Sequence, residues 1–161
     1  MADTGAAVHA FEPDPVAFET LSKTVGARSN VVLHNAAVGV GAGEVPLYRI
    51  ESFLDDPISR TQNSSTIASK RRASATDRVL VPQIDFVDFL RSLGFHVALV
   101  KMDIEGAEVE VLRKVVETGT HEKIGKIFVE THEKQIPELR RKTRELIRLT
   151  RKAGNISCDW W

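Results

Sequence analysis

The run VALVKM (Val97–Met102) is almost continuously apolar, and it delivers Asp103-Ile104-Glu105-Gly106 into a helical pattern from Ala107 to Thr118. A short apolar run without polar alternation reads as a strand buried on both faces, as in a parallel sheet covered by helices. Similar runs recur along the chain and alternate with longer helical patterns, the signature of an α/β domain. The reading that follows is one domain over 1–161, with no internal repeat.

The pattern places a first strand at Ala6 to Phe11, ending at Glu12. Asp14 then caps a helix with Pro15 at its first position, and Gly26 closes it in the left-handed conformation. VVLHNAAV (Val31 to Val38) is a second strand. GVGAG (Gly39 to Gly43) leads into the alternating strand Glu44 to Ile50, so it reads as a hairpin turn and not a phosphate loop. The strand's expected partner is Arg78 to Pro82, across a polar loop of about 51–77 that is long enough to be a lid or a disordered segment. A helix capped by Asp85 runs to Leu93, and Ile124 to Glu130 is another strand. The last helix runs from near Pro137 to Ala153, before a strand-like NISCDWW.

Composition excludes several classes. No apolar run approaches the roughly 20 residues of a membrane span, and no signal peptide is visible. The single Cys158 leaves no internal disulfide, so a reducing cytoplasm is expected. Twenty-two basic and twenty-two acidic residues cancel, which argues against a nucleic-acid binder. The basic surplus lies in Lys134 to Lys152, with 8 basic and 2 acidic residues, and reads as a solvated helix face.

In open α/β sheets, ligands bind beyond the carboxyl ends of the parallel strands. Here that rule collects Glu12, then Asn35, Ala36 and Ala37, then Asp103 and Glu105, then Glu130 and His132. Purely structural charges have no reason to gather at one rim. Glu12 is placed either to accept hydrogen bonds from a ribose or to flank the positive end of the following helix. A histidine's ordinary pKa of about 6.5 suits His132 to a general base, but the residues alone favour a plain strand-end group with a satisfied hydrogen bond. Asp, Glu and His also ligate metals; the spacing here specifies no geometry, and no metal is expected.

VHAFEPDPVAFETL, NVVLHNAAVG, VALVKMDIEGAEVEVL and IFVETHE resemble, in that order, the FkbM-type family of S-adenosylmethionine-dependent methyltransferases. KMDIEGAEVEVL (Lys101 to Leu112) is the most specific element of the resemblance. It implies a Rossmann-like class I methyltransferase sheet, mostly parallel, with a β-hairpin insertion. It also implies methyl transfer from S-adenosylmethionine to a hydroxyl oxygen of a sugar or small metabolite. Glu12 would hold the cofactor ribose, Asn35 and Ala36 would border the adenine, and Asp103 would lie near the methionine moiety and the acceptor. Asp103, Glu105, Glu130 and His132 would form the reaction centre.

The family's opening Asp-x-Gly-Ala-Asn-like turn has no counterpart in this sequence, so the first strand and the glycine-rich cofactor loop are expected to be missing. Two readings of a different class compete with the enzyme. One is an inactive remnant of the fold acting through protein contacts; the other is a nicotinamide-dependent oxidoreductase, which fits Glu12 but none of the later motifs. The missing strand would lie between Ala6–Phe11 and Val97–Met102. Those two strands are therefore expected to close up and pair directly, or to take in another chain by self-association through their edges.

Overall fold

The computed structural model describes residues 2–50, 66 and 73–158. From the N-terminus, β1 (Val8–Phe11) leads into α1 (Pro15–Val25), β2 (Val31–His34), β3 (Ala37–Gly39) and β4 (Gly43–Ile50). After 51–72 come β5 (Ala73–Asp85), α2 (Phe86–Ser92), β6 (Val97–Met102), α3 (Glu108–Glu117), β7 (Ile124–Val129), α4 (Arg140–Ala153) and β8 (Ile156–Cys158). The fold is α/β with mostly parallel pairing, in keeping with a Rossmann-like methyltransferase.

The helices begin where local chemistry starts them. The Asp14 carboxylate accepts the Val16 N–H at 2.9 Å, with Pro15 supplying a preset φ at the first helical position. Asp85 caps α2 by accepting from Val87 and Asp88 at 3.0 and 3.2 Å. Gly119, at φ 68, ends α3 in the left-handed region where a side chain would be strained. Gly26 departs from expectation: its φ is −64, because its N–H still bonds to Ser22 O and continues the helical path.

Among the described residues these strands form three sheets. β6, β7 and β8 are parallel in that order, with α3 and α4 as the crossovers. Their inner face meets α2, α3 and α4 in the main core, where Val109, Leu112, Val115, Ile127, Val129 and Leu146 are buried. Each such side chain contributes about 1.5–3 kcal/mol by leaving water. In the second sheet β5 lies between β3, parallel to it, and β4, antiparallel to it with Val45 opposite Val81. The expected pairing of β4 with Arg78 to Pro82 is present, within a longer strand. GVGAG is not a hairpin turn, however, because the strands it joins flank β5 instead of pairing with each other.

The third sheet is only β1 and β2, parallel, with Phe11 opposite His34. The expected single strand Val31 to Val38 is broken, its two halves going to different sheets. Asn35 makes the break: its side-chain amide donates to Glu12 O and Pro13 O at 2.8 and 3.2 Å, pinning the end of β2 to the end of β1. The direct pairing expected between the first strand and Val97–Met102 is not formed; among the described residues β1 pairs with β2 and β6 with β7. β1 is tied elsewhere. Phe11 and His34 stack, and both meet the edge of Phe89 on α2 at 5.0 and 5.6 Å, while Arg49 bonds Asp14. Closing the gap to β6 would break these contacts.

Two sequence expectations change in consequence. β6 is not buried on both faces: Leu99 and Lys101 on one face and Ala98 on the other are exposed, β6 being the edge strand of its sheet among the described residues. In β2, Val32 is likewise 49% exposed. The basic helix does behave as a solvated face. Lys142 reaches Glu110 at 2.8 Å, Arg113 and Arg141 approach Glu145, and Thr143, Leu146 and Thr150 form the buried stripe. No helix among the described residues is long and apolar enough to cross a membrane. Most of the 51–77 loop and the terminal Trp160-Trp161 lie outside the described residues.

Candidate active site

β6 and β7 run side by side, so their carboxyl ends open at one rim; the Glu130 N–H donates to Met102 O at 2.9 Å across it. After β6 the chain turns sharply through Glu105, at φ 57, and Gly106, at φ 109, before entering α3. Among the described residues Glu105 is the one non-glycine with positive φ, a conformation that costs of order 1 kcal/mol or more and gathers at functional sites. The turn aims Asp103 and Glu105 at the segment that follows β7. There His132 lies 3% exposed, its carbonyl accepting from Gln135 and Ile136.

Glu108 organises this pocket. It occupies the first turn of α3 and is 0% exposed. One of its carboxylate oxygens accepts the Gly106 N–H at 2.7 Å; the other accepts the His132 backbone N–H at 3.1 Å and faces His132 Nδ1 at 3.2 Å. A carboxylate at a helix N-terminus is favoured by the helix dipole, and these three contacts offset the cost of its burial. The Nδ1–H donated to Glu108 leaves Nε2 pointing at Glu105 Oε2, 3.2 Å away, and at Asp103 Oδ1, 3.6 Å away.

Electrostatics follow from this crowding. Burial alone would lower the His132 pKa, but the Glu108 hydrogen bond and the charges of Glu108, Glu105 and Asp103 outweigh it and raise the ring above its ordinary value. Glu130 is also raised: burial leads, then the charge of Asp103 and a hydrogen bond to it, opposed by His132. Asp103 and Glu105 keep 38% and 19% side-chain exposure, so the rim is open to a ligand from the carboxylate side and closed on the histidine side.

The structure therefore brings together Asp103, Glu105, Glu130 and His132, the four residues singled out as a reaction centre. It turns His132 inward, however, with both ring nitrogens toward carboxylates. Glu108 was missed in the sequence. Its signal was legible, since it falls on the i, i+3, i+4, i+7 stripe with Val111, Leu112 and Val115, where a carboxylate requires a partner.

A second set gathers at the end of β1 and β2. Glu12 Oε1 accepts the Asp14 N–H at 2.8 Å, while its other oxygen makes no hydrogen bond among the described residues. Burial raises the Glu12 pKa, the Asp14 N–H opposes the shift, and the Asp14 charge adds to it. Asp14 is fully buried and held by Arg49 at 3.0 and 3.3 Å. The Asn35 amide is committed to backbone carbonyls, and Ala36 is buried beside it. The two sets belong to separate sheets.

Carboxylates and a histidine thus gather at the carboxyl rim of parallel strands, where open α/β sheets bind their ligands, with a second acid after the first β-α unit. The chain belongs to the FkbM methyltransferase family: the model of the methyltransferase FkbM domain matches residues 1–157. It is a methyltransferase by that membership. No curated protein and no solved structure matches it.

Proposed function

We propose that this FkbM domain transfers a methyl group from S-adenosylmethionine to a hydroxyl oxygen of a saccharide or small metabolite. Bound S-adenosylmethionine would supply an electrophilic methyl group on sulfur. The residues at the β1–β2 rim fit its nucleoside end in part: Glu12 has one carboxylate oxygen held by backbone and one left to accept a ribose hydroxyl. Ala36 offers a small apolar surface for the adenine edge. Asn35 fits less directly, because its amide nitrogen already serves Glu12 O and Pro13 O and so shapes the rim instead of reaching out.

Methyl transfer to an alcohol requires the acceptor oxygen to be placed in line and its proton to be removed. Asp103 and Glu130 lie near enough that the charge of Asp103 helps raise the Glu130 carboxyl, and Asp103 is open at the rim to an acceptor hydroxyl. One of the pair orients the hydroxyl while the other takes its proton. His132 faces Asp103 and Glu105 from behind, and Glu108 fixes His132. The observation that carries the reading is this carboxyl pair, poised at the rim against a buried imidazole.

The test is transfer of an isotopically labelled methyl group from S-adenosylmethionine to a panel of saccharides and hydroxylated metabolites, scored by mass spectrometry. Label on a hydroxyl oxygen, lost in Asp103→Asn with the chain still folded, is the expected result. Label on nitrogen or carbon, or the same yield in Asp103→Asn, would overturn the assignment. Absence of both transfer and cofactor binding would favour the protein-contact reading.

A further inference from the structure

We propose that Asp103, Glu105 and His132 form a binding site for one divalent first-row transition-metal ion. One oxygen from each carboxylate and a ring nitrogen of His132 all lie within 4.8 Å of one another. Metal–donor bonds of about 2.0–2.2 Å place neighbouring donors roughly 2.8–4.4 Å apart. The distances from His132 Nε2, 3.2 Å to Glu105 and 3.6 Å to Asp103, fall within that range. Asp103, more exposed than the others, can make the remaining adjustment by rotating its carboxylate.

The independent observation is the way the imidazole is held. Its side chain is 4% exposed, and one oxygen of the completely buried Glu108 faces Nδ1 and accepts the His132 backbone N–H together. A ring that donates Nδ1–H to a carboxylate is the arrangement that orients metal-binding histidines and raises their basicity. It leaves Nε2 facing two carboxylate oxygens, so that a buried ring nitrogen and two anionic oxygens converge on one point where a cation can sit.

The donor set selects the ion. Carboxylates alone would suit Mg²⁺ or Ca²⁺, whereas an imidazole among them shifts preference toward Mn²⁺, Fe²⁺, Co²⁺ or Zn²⁺. Two carboxylates and one imidazole leave coordination positions for water or for an acceptor hydroxyl. The inference goes beyond the methyl-transfer reading, although it uses some of the same residues. Cation binding is measured with neither methyl donor nor acceptor present, so either claim can fail alone.

The experiment titrates the full chain with Mn²⁺ alone and follows the free-ion signal by electron paramagnetic resonance. One equivalent of signal should be lost, Zn²⁺ should restore it at equal concentration, and Mg²⁺ should not. Asp103→Asn and Glu105→Gln should each weaken Mn²⁺ binding at least tenfold, with circular dichroism unchanged. Unaltered binding in both variants, competition by Mg²⁺ equal to that by Zn²⁺, or no signal loss in the native chain would overturn the proposal. Should either variant fail to fold, the native chain still decides: Mn²⁺ must broaden the His132 ring resonances in the NMR spectrum ahead of those of His9 and His34, and failure to do so overturns the site.

Discussion

The two rims of this molecule carry acids at equivalent strand ends yet are built to different standards. At the end of β6 and β7 the groups are backed by the main core, and Glu108 and His132 are buried against Val109 and Leu112. At the end of β1 and β2 Asp14 and Ala36 are buried, but the strand residues are half-covered or exposed, and α1 contains no buried residue. A group that must be held still needs surroundings that cannot repack, and only the first rim has them. The second rim offers a hydrogen-bonding edge that a ligand can order. On the proposed function, the first rim would carry the reaction and the second would hold the cofactor.

The largest expected effect strikes the buried pair. Glu108→Ala leaves the Gly106 and His132 N–H groups and the imidazole without their shared partner, and should cost about 3–5 kcal/mol in urea unfolding. A cost below about 1 kcal/mol would show that the pocket is looser than drawn. Core truncations sharpen the comparison next. Leu112→Ala should cost about 2–5 kcal/mol, whereas Leu33→Ala, in the half-covered β2, should cost less than about half as much. Equal costs would erase the distinction between the rims.

How far the sequence reached follows the same division. The rim after β6 and β7 was legible because an apolar strand, a turn and an amphipathic helix occur there in unbroken order. Even so, Glu108 was not singled out, although its phase around α3 sets it among the apolar residues. The break at Asn35 was invisible to periodicity: VVLHNAAV is continuous as a β pattern, and only the side-chain amide reveals that it serves two sheets. The exposure of Leu99 could not be read locally either. An apolar run reports what a strand prefers to face, while coverage depends on elements far along the chain.

Smaller effects test the supports. Lys114 donates to Asp85, and this hydrogen bond is the main reason the Asp85 carboxyl titrates below its ordinary 3.8, against the opposing effect of burial. A lowered carboxyl contributes stability that is full above the unfolded value and is lost as pH falls through the folded one. Asp85→Asn keeps the helix cap but loses the ion pair. It should cost about 1 kcal/mol at neutral pH and flatten the acid limb of the stability curve below roughly pH 4. An unchanged acid limb would remove Asp85 from the account.

The uncovered strand edges give the weakest effect. Leu99 is 36% exposed on β6, and open apolar edges favour pairing between copies. Sedimentation velocity should show self-association that grows with concentration and weakens in Leu99→Lys. A chain that remains monomeric at millimolar concentration would contradict this.

The division of labour between the rims is tested most directly by one paired measurement: the dissociation constant of S-adenosylhomocysteine by calorimetry and the single-turnover rate of methyl transfer, in Glu12→Gln and in Glu130→Gln. Glu12→Gln should weaken binding about tenfold or more, in line with about 1.5–3 kcal/mol for a hydrogen bond to a carboxylate, and leave the rate at saturating cofactor within about threefold. Glu130→Gln should leave binding unchanged and slow transfer by about 100-fold or more, the scale of a lost general base. The contradicting result is the crossed one: a Glu130→Gln chain that binds poorly but transfers at the native rate once saturated, or a Glu12→Gln chain that binds normally.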